Sequence, residues 1–389
     1  MMRIARIGLI LMAAGLSWAS PVDRLAARAA EARACVPVGA WVVPGNRKSR
    51  PDALRRLAGH DVVLLGESHD EAEHHRWQLH TIAALFGYRP DMVLGFEMFP
   101  RRVQPVLDRW SRGELDAAAF LREVDWPQIW GMDPELYMPL FDFARMHRLP
   151  MLALNVDRET DRRVARQGPA AADGGREGVG VPALASSSYR KRLFGFFKTH
   201  QAEDAKPDPD SEPFSHFVQA QIFWDRAMAE AIAGARRKPG RPLVVGIMGS
   251  GHIEYGEGVV HQLTALGVND VVTALPWNTG NDCPPAAPRI ADLVFGLTPP
   301  AAIPTPRLGV VVSKADNGVK VDEVATGSLA EATALQAGDV IETAAGVDVR
   351  RPADLTAIIR RQAPGTWLPL RVHRGEAMLD LVGRFPAQR

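Results

Sequence analysis

The sequence predicts an α/β protein with a mainly parallel sheet and flanking helices, followed by a small β-rich module at the C-terminus. Three observations carry this. Five apolar runs have the length and aliphatic content of buried strands, and most are near-continuous rather than alternating, as in strands covered on both faces. Segments of helical character separate them, and strands alternating with helices imply right-handed parallel crossovers. After a proline-rich stretch from Cys283 to Arg307 the pattern changes to short strand-like runs around one helix.

In chain order, the strand candidates of the first part are Asp61 to Glu67, Met92 to Phe99, Pro150 to Val156, Pro242 to Met248 and Asp270 to Leu275. The helical segments are Glu71 to Phe86, Pro134 to Arg148, Phe214 to Ala235 and Gly258 to Leu266. Gly168 to Ser188 is rich in glycine, alanine and serine, while Ala202 to Pro213 is acidic and proline-bearing. Both read as surface loops, with a lid over a site as the alternative. In the last part, Leu308 to Ser313, Gly318 to Val324, Asp339 to Thr343, Leu368 to His373 and Met378 to Gly383 are short strand candidates. Pro352 to Gln362 reads as a helix with Leu355, Ile358 and Ile359 on one face and a proline at its start, where a missing N–H costs least. The expected organisation is a signal peptide at 1–19, a first domain at 35–285, a linker at 286–306 and a C-terminal domain at 307–389.

A chain of 389 residues with 46% hydrophobic content can bury a full core. Lysine plus arginine (46) balances aspartate plus glutamate (45), which argues against nucleic acid as a partner. Arg3 and Arg6 flank a short apolar stretch, Ile7 to Leu16, followed by the small residues Ser17 and Ala19. This is the pattern of a secretory signal peptide and predicts a protein of the periplasm or cell envelope. The stretch falls short of the roughly 20 residues of a membrane span. An uncleaved anchor, or a lipid on Cys35, is the route by which the chain would associate with a membrane. Cys35 and Cys283 are the two cysteines; in an oxidising compartment they are a disulfide candidate, with two unrelated thiols as the alternative.

The strand at Val62 to Leu65 runs into Gly66-Glu67-Ser68-His69, and that at Leu243 to Met248 runs into Gly249-Ser250-Gly251-His252, so Gly-x-x-His recurs at a strand end. Two further strand ends carry Glu97 and Asn155. In open parallel sheets ligands bind outside the carboxyl ends of the strands, where such residues converge. Glu67, His69, Glu97 and His252 together offer a metal centre, for zinc, manganese, iron or cobalt, or an acid/base pair. Glu71 and His75 share a helical face and form a second candidate pair, although acidic residues at a helix start also favour its dipole. Gln221, Asp225 and Met228 lie on one helical face with Trp224 beside them, and suit support of the site rather than direct chemistry.

Residues from about 35 to 285 resemble the ChaN-like haem-binding uptake family within the Tiki superfamily. The resemblance rests on Val63-Leu64-Leu65-Gly66-Glu67-Ser68-His69-Asp70, on Gly95-Phe96-Glu97-Met98-Phe99 with Gln104, and on Trp126 and Trp130. Ala153-Leu154-Asn155, Gln221-x-x-Trp224-Asp225-x-x-Met228-Ala229 and Gly249-Ser250-Gly251-His252 complete it. It implies binding of haem or a divalent transition metal in iron uptake for the ChaN branch, and metal-dependent proteolysis for the Tiki branch. The shared motifs leave both open. Haem iron is held by histidine, tyrosine, methionine or cysteine. Besides His69 and His252, the tyrosines Tyr88, Tyr137, Tyr189 and Tyr255 are then of interest, and Tyr255, three residues after His252, the most.

Residues 307 to 385 resemble a bacterial, protease-associated PDZ domain. Val319-Lys320-Val321, Gly327-Ser328-Leu329-Ala330-Glu331, Leu335-Gln336-Ala337-Gly338-Asp339-Val340-Ile341, Gly346 and Asp354-Leu355 carry the likeness. Ala332 to Ala334 depart from it, because alanine-glycine usually precedes the leucine. The resemblance implies strand addition of a C-terminal peptide, from an envelope protein or a substrate. The edge would begin at Leu308, the carboxylate would meet the N–H groups of Leu308, Gly309 and Val310, and Leu355, Ile358 and Ile359 would line the pocket.

Overall fold

The computed structural model describes residues 35–46, 48–167, 178–199, 207–279, 282–285, 288–299, 306–363 and 365–386. The expected signal peptide and the stretch 168–177 lie outside the described residues. The chain divides into two compact units, Met1–Pro299 and Pro300–Arg389.

The first unit is built on β1 (Trp41–Val42), β2 (Val62–Glu67), β3 (Met92–Pro100), β4 (Met151–Asn155), β5 (Leu243–Gly249), β6 (Val271–Asn278) and β7 (Leu293–Leu297). They form one sheet in the order β1-β7-β6-β2-β5-β3-β4. Every neighbouring pair from β7 to β4 is parallel, and β1 closes the β7 edge antiparallel. The helices in chain order are α1 (Ala53–Leu57), α2 (Ala72–Tyr88), α3 (Gln104–Ser111), α4 (Ala117–Glu123), α5 (Trp126–Ile129), α6 (Met138–Met146), α7 (Arg158–Gln167), α8 (Ser187–Thr199), α9 (Glu212–Arg236) and α10 (Val259–Ala265).

The pleat explains why the strands read as unbroken apolar runs. Along β2, Val63 and Leu65 join a core shared with α2, α3 and α6, while Val62 and Leu64 join the core on the other face with α9 and α10. Successive side chains point to opposite faces, so a sheet covered on both sides needs apolar residues at every position. No helix among the described residues is long and apolar enough to cross a membrane.

The structure corrects the linker. Leu293–Leu297 is a strand of the first sheet, pairing Ala274 through Asn278 with Leu293 through Leu297, and Val294 is fully buried. The surrounding prolines mask a short apolar run that the sheet needs as its penultimate strand. The segment from Gly168 is likewise only partly loop, because α8 begins at Ser187. Cys35 and Cys283 are joined, with their Cα atoms 5.3 Å apart and 248 residues between them in sequence. That leaves Cys35 no free thiol for a lipid.

The second unit contains β8 (Val310–Ala315), β9 (Gly318–Val324), α11 (Leu329–Ala332), β10 (Val340–Ala344), β11 (Val347–Asp348), α12 (Pro352–Arg360), β12 (Trp367–Arg374) and β13 (Ala377–Arg384). The sheet runs β13-β12-β10-β9-β8, with β11 on β10, so β8 is an edge as the sequence implied. Leu308, Leu355 and Ile359 belong to the core, and Val310 and Ile358 are partly buried against it. Gly309 cannot be replaced: its φ is +84° and an added Cβ would stand 2.3 Å from Ser328 Cβ. Ala334, in the departure noted above, has φ 61°. There a glycine avoids a penalty of about 1 kcal/mol, and the short loop keeps its path with alanine instead.

Candidate functional site

The parallel register brings the motifs together. Glu67 pairs with Gly249 across β2 and β5, and Phe96 pairs with Ile247 across β3 and β5. The end of β5 therefore lies between two glutamate-bearing strand ends. The alternation of the pleat sends Glu67 to the face covered by α2 and α6, and Glu97 to the face covered by α9. Two half-sites, one on each face, meet over Gly249.

On the first face, Glu67 is buried and fully used. Its Oε1 accepts from His69 Nδ1 at 2.8 Å and from the Tyr137 hydroxyl at 2.7 Å. Its Oε2 accepts from Gln78 Nε2 at 2.9 Å and faces His75 Nδ1 at 3.3 Å. Burial works to raise the Glu67 carboxyl, but the hydrogen bonds from His69 and His75 outweigh it and hold it below the usual carboxylate range. His75 also donates from Nε2 to the His69 carbonyl at 3.1 Å, so the motif is braced at two points. His74 takes the opposite role. It accepts from the Ser68 N–H through Nδ1 at 2.9 Å, and burial, with His75 nearby, lowers it to about 4.

On the second face, His252 donates from Nδ1 to Asp225 Oδ1 at 2.7 Å, and its Nε2 stands 3.5 Å from Glu97 Oε1. Asp225 Oδ2 accepts from the Tyr189 hydroxyl at 2.7 Å. Glu97 accepts from the Gly249 N–H through Oε2 at 2.6 Å, while its buried Oε1 makes no hydrogen bond. Burial opposes charge on His252, but the Glu97 and Asp225 carboxylates outweigh it and push the ring up to about 10. Glu97 is held below its ordinary value despite burial, chiefly by the His252 charge.

The junction requires a residue without a side chain. A Cβ on Gly249 would lie 3.0 Å from His69 Cε1, 3.2 Å from its Nε2 and 3.6 Å from Glu97 Oε2. The ring of His69 thus lies across the end of β5, toward the Glu97 carboxylate.

Beside this junction opens a cavity of about 660 Å³, within the range of small-molecule and cofactor sites. Trp130, Trp224, Met98 and Asn155 line it, with Arg163, Glu159 and the ion-paired Arg102 and Asp157 at its polar side. Trp130 meets the His69 ring edge-on at 4.7 Å between centroids, and Trp224 packs on His252 at 5.1 Å. One tryptophan stands against each histidine. Trp224 Nε1 and Arg163 Nε are buried without a hydrogen-bond partner.

The expected site residues therefore separate. Glu67, His69, Glu97 and His252 do converge, but the two glutamates differ: Glu67 orients His69, while Glu97 keeps one oxygen that only the His252 ring approaches, at 3.5 Å and without a hydrogen bond. Among the described residues no three histidine, cysteine, aspartate or glutamate side chains are arranged to hold a metal ion. His69 Nδ1 is committed to Glu67, and His252 Nδ1 to Asp225. The four converging residues reach the cavity only through Trp130 and Trp224, and Tyr255 does not line it. It sits at φ 60°, donates its backbone N–H to the Ile290 carbonyl at 2.8 Å, and lies under the Arg192 guanidinium at 5.5 Å. The Glu71 and His75 pairing gives way to the bracing role of His75. Asp225 supports His252, as the helical face suggested. Gln78, Tyr137 and Tyr189 were not expected as supports, because nothing local in sequence ties them to the motifs.

The comparisons with known proteins follow this geometry. Residues 53–263 match the family model described as haem-binding uptake, Tiki superfamily, ChaN. The chain belongs to that family. Residues 306–382 match the PDZ domain model. Among solved structures, the family member reported as cofacial heme binding to ChaN of Campylobacter jejuni has 19% identity and a TM-score of 0.52, covering 66% of this chain and 95% of that one. At this identity the likeness concerns the fold. The HtrA3 PDZ domain bound to a phage-derived ligand matches 20% of this chain and 82% of its own, at 23% identity and a TM-score of 0.19. No sequence among curated proteins shows significant similarity.

The buried charges of this ChaN-family site predict a stability plateau. A histidine that titrates near 6.5 when unfolded and near 10 when folded contributes fully below about pH 6.5, and that contribution is lost as pH rises through about 10. Glu67 and Glu97, lowered in the folded state, contribute above about pH 4.5 and lose it in acid. Urea unfolding is expected to show a midpoint that falls between pH 7 and pH 10, with a shallower fall in His252→Gln. Equal slopes in the two proteins would show that His252 is not held in its charged form.

Proposed function

We propose that this protein binds haem at the two-histidine junction and takes part in haem or iron handling in the cell envelope, with its PDZ module holding a C-terminal peptide of a partner. The observation that carries the reading is the shared cavity, walled by one tryptophan against each histidine and edged by Arg102 and Arg163. A large flat macrocycle with an apolar body and anionic edges suits those walls, and the unpartnered Trp224 and Arg163 nitrogens suit its polar rim. His69 is the better iron ligand of the two, because its ring is partly exposed whereas His252 is packed between Asp225 and Glu97. When bound, haem would supply an iron that the His69 imidazole would hold. The chain's part is to hold His69 Nδ1 on Glu67, to exclude water with Trp130 and Trp224, and to keep Glu97 close by. Export is supported by the signal-like N-terminus and by the Cys35–Cys283 bond.

A metal-dependent peptidase of the Tiki type, with the PDZ module selecting substrates, is the second reading. It is favoured by the Glu97 oxygen that stands beside His252 without a hydrogen bond, an arrangement suited to acid/base work. Titration of the purified protein with haem, followed by absorption spectroscopy, separates the two. The expected result is a shifted Soret band with saturable binding, weakened by at least about tenfold in His69→Ala. No Soret shift, together with zinc- or manganese-dependent cleavage of peptides, would favour the peptidase.

For the PDZ module, an extended peptide would add to β8, with its carboxylate at the turn before it and an apolar last side chain against the α12 face. Ile358, only partly buried, is the residue to change. In the full chain, Ile358→Lys is expected to abolish binding of peptides ending in valine, leucine or phenylalanine while circular dichroism stays unchanged. Unaltered binding would place the peptide elsewhere.

A further inference from the structure

The two Gly-x-x-His motifs share an arrangement that their sequences do not show. Each histidine donates from Nδ1 to a buried carboxylate, and each carboxylate also receives a tyrosine hydroxyl from a distant helix or turn. Tyr137, beside α6, reaches Glu67 Oε1 at 2.7 Å, and Tyr189, on α8, reaches Asp225 Oδ2 at 2.7 Å. Both tyrosines are buried, and Asp225 is entirely so.

The two chains of contacts differ in redundancy. Glu67 is satisfied by His69, His75, Gln78 and Tyr137 together. Asp225 receives His252 on one oxygen and Tyr189 on the other. A buried carboxylate deprived of one of two donors loses far more of its orientation than one deprived of one of four. The segment that delivers Tyr189 is itself tied to the His252 loop. Arg192 donates to the Gly251 carbonyl at 3.1 Å and to Glu257 at 3.0 Å, and the Ser188 hydroxyl reaches Glu257 at 2.5 Å. Helix α8 is therefore a clamp laid over the Asp225–His252 pair, and the tyrosine is its contact with the carboxylate.

We infer that Tyr189 is a positioning residue for the site: its hydroxyl fixes Asp225, which keeps the His252 Nδ1–H on the inside and aims Nε2 at Glu97. Tyr137 does the same for His69 but with reserve. This rests on the haem reading for its ligand readout, and on no ligand for its structural one.

The test uses Tyr189→Phe and Tyr137→Phe in the full chain, substitutions that keep the ring and remove only the hydroxyl. In the ligand-free protein, proton NMR with nitrogen-labelled histidine should show a downfield, exchange-protected His252 Nδ1–H. It should be lost or broadened in Tyr189→Phe and unchanged in Tyr137→Phe. Haem titration should weaken by about tenfold in Tyr189→Phe, through the Glu97 carboxylate that His252 pairs with beside the proposed ligand His69, and by less than about threefold in Tyr137→Phe, where three other groups still hold Glu67. A urea midpoint for each variant reports any loss of packing. Retention of the protected His252 signal in a folded Tyr189→Phe protein would overturn the inference. So would equal effects of the two phenylalanine variants. A wild-type protein that shows the protected signal but binds no haem would refute the haem reading and leave the positioning role standing.

Discussion

Where β5 ends, a carboxylate and an imidazole crowd the volume that a single methyl group would fill. The sheet sets this up. β5 is the strand between β2 and β3, so its last residue faces Glu67 on one side and the Glu97 strand on the other. A side chain at Gly249 would press on the His69 ring that crosses that end, and the crossing ring brings the half-site of one sheet face to that of the other. The cavity, the tryptophan walls and the braced carboxylates are arranged around this contact.

The pleat accounts for the division of labour between the two glutamates. Glu67 falls on the face where His69 just after its own strand, His75 and Gln78 on α2, and Tyr137 just before α6 all approach it, and it becomes an anchor. Glu97 falls on the opposite face, where one backbone N–H and one imidazole approach it, and it keeps an oxygen without a hydrogen bond. Leaving a buried carboxylate oxygen unpaired costs stability, typically about 1–3 kcal/mol, and such a cost is commonly found at functional positions. The nearby charge of His252 offsets part of it.

Much of this was legible in the residues, for reasons that can be stated. Strands covered on both faces are unbroken apolar runs, so Val62–Glu67 and Leu243–Gly249 stood out, and a parallel sheet collects whatever polar residues end them. β7 was hidden because Leu293–Leu297 is short and lies among prolines, and its place is set by pairing with β6 rather than by local pattern. Helix α8 was hidden behind a serine- and glycine-rich approach. Within the site, Gly66 to His69 and Gly249 to His252 could be read because each motif is local. Tyr137 and Tyr189 reach their carboxylates from distant parts of the chain, and Gln78 from the second turn of α2; only the fold brings them there. The PDZ edge was legible from its motif, although Leu355 and Ile359 turned out to serve the core more than the groove.

The contact over Gly249 can be tested without touching any polar group. Gly249 has φ −56° and bears no backbone strain that alanine would meet, whereas its Cβ would press on His69; at Gly251, two residues on, an added Cβ meets nothing within 4 Å. Haem titration of Gly249→Ala beside Gly251→Ala, with both proteins shown to be folded, measures that contact directly. The account predicts weakened binding in Gly249→Ala, by about tenfold or more, and wild-type binding in Gly251→Ala. Equal affinities in the two variants would contradict it.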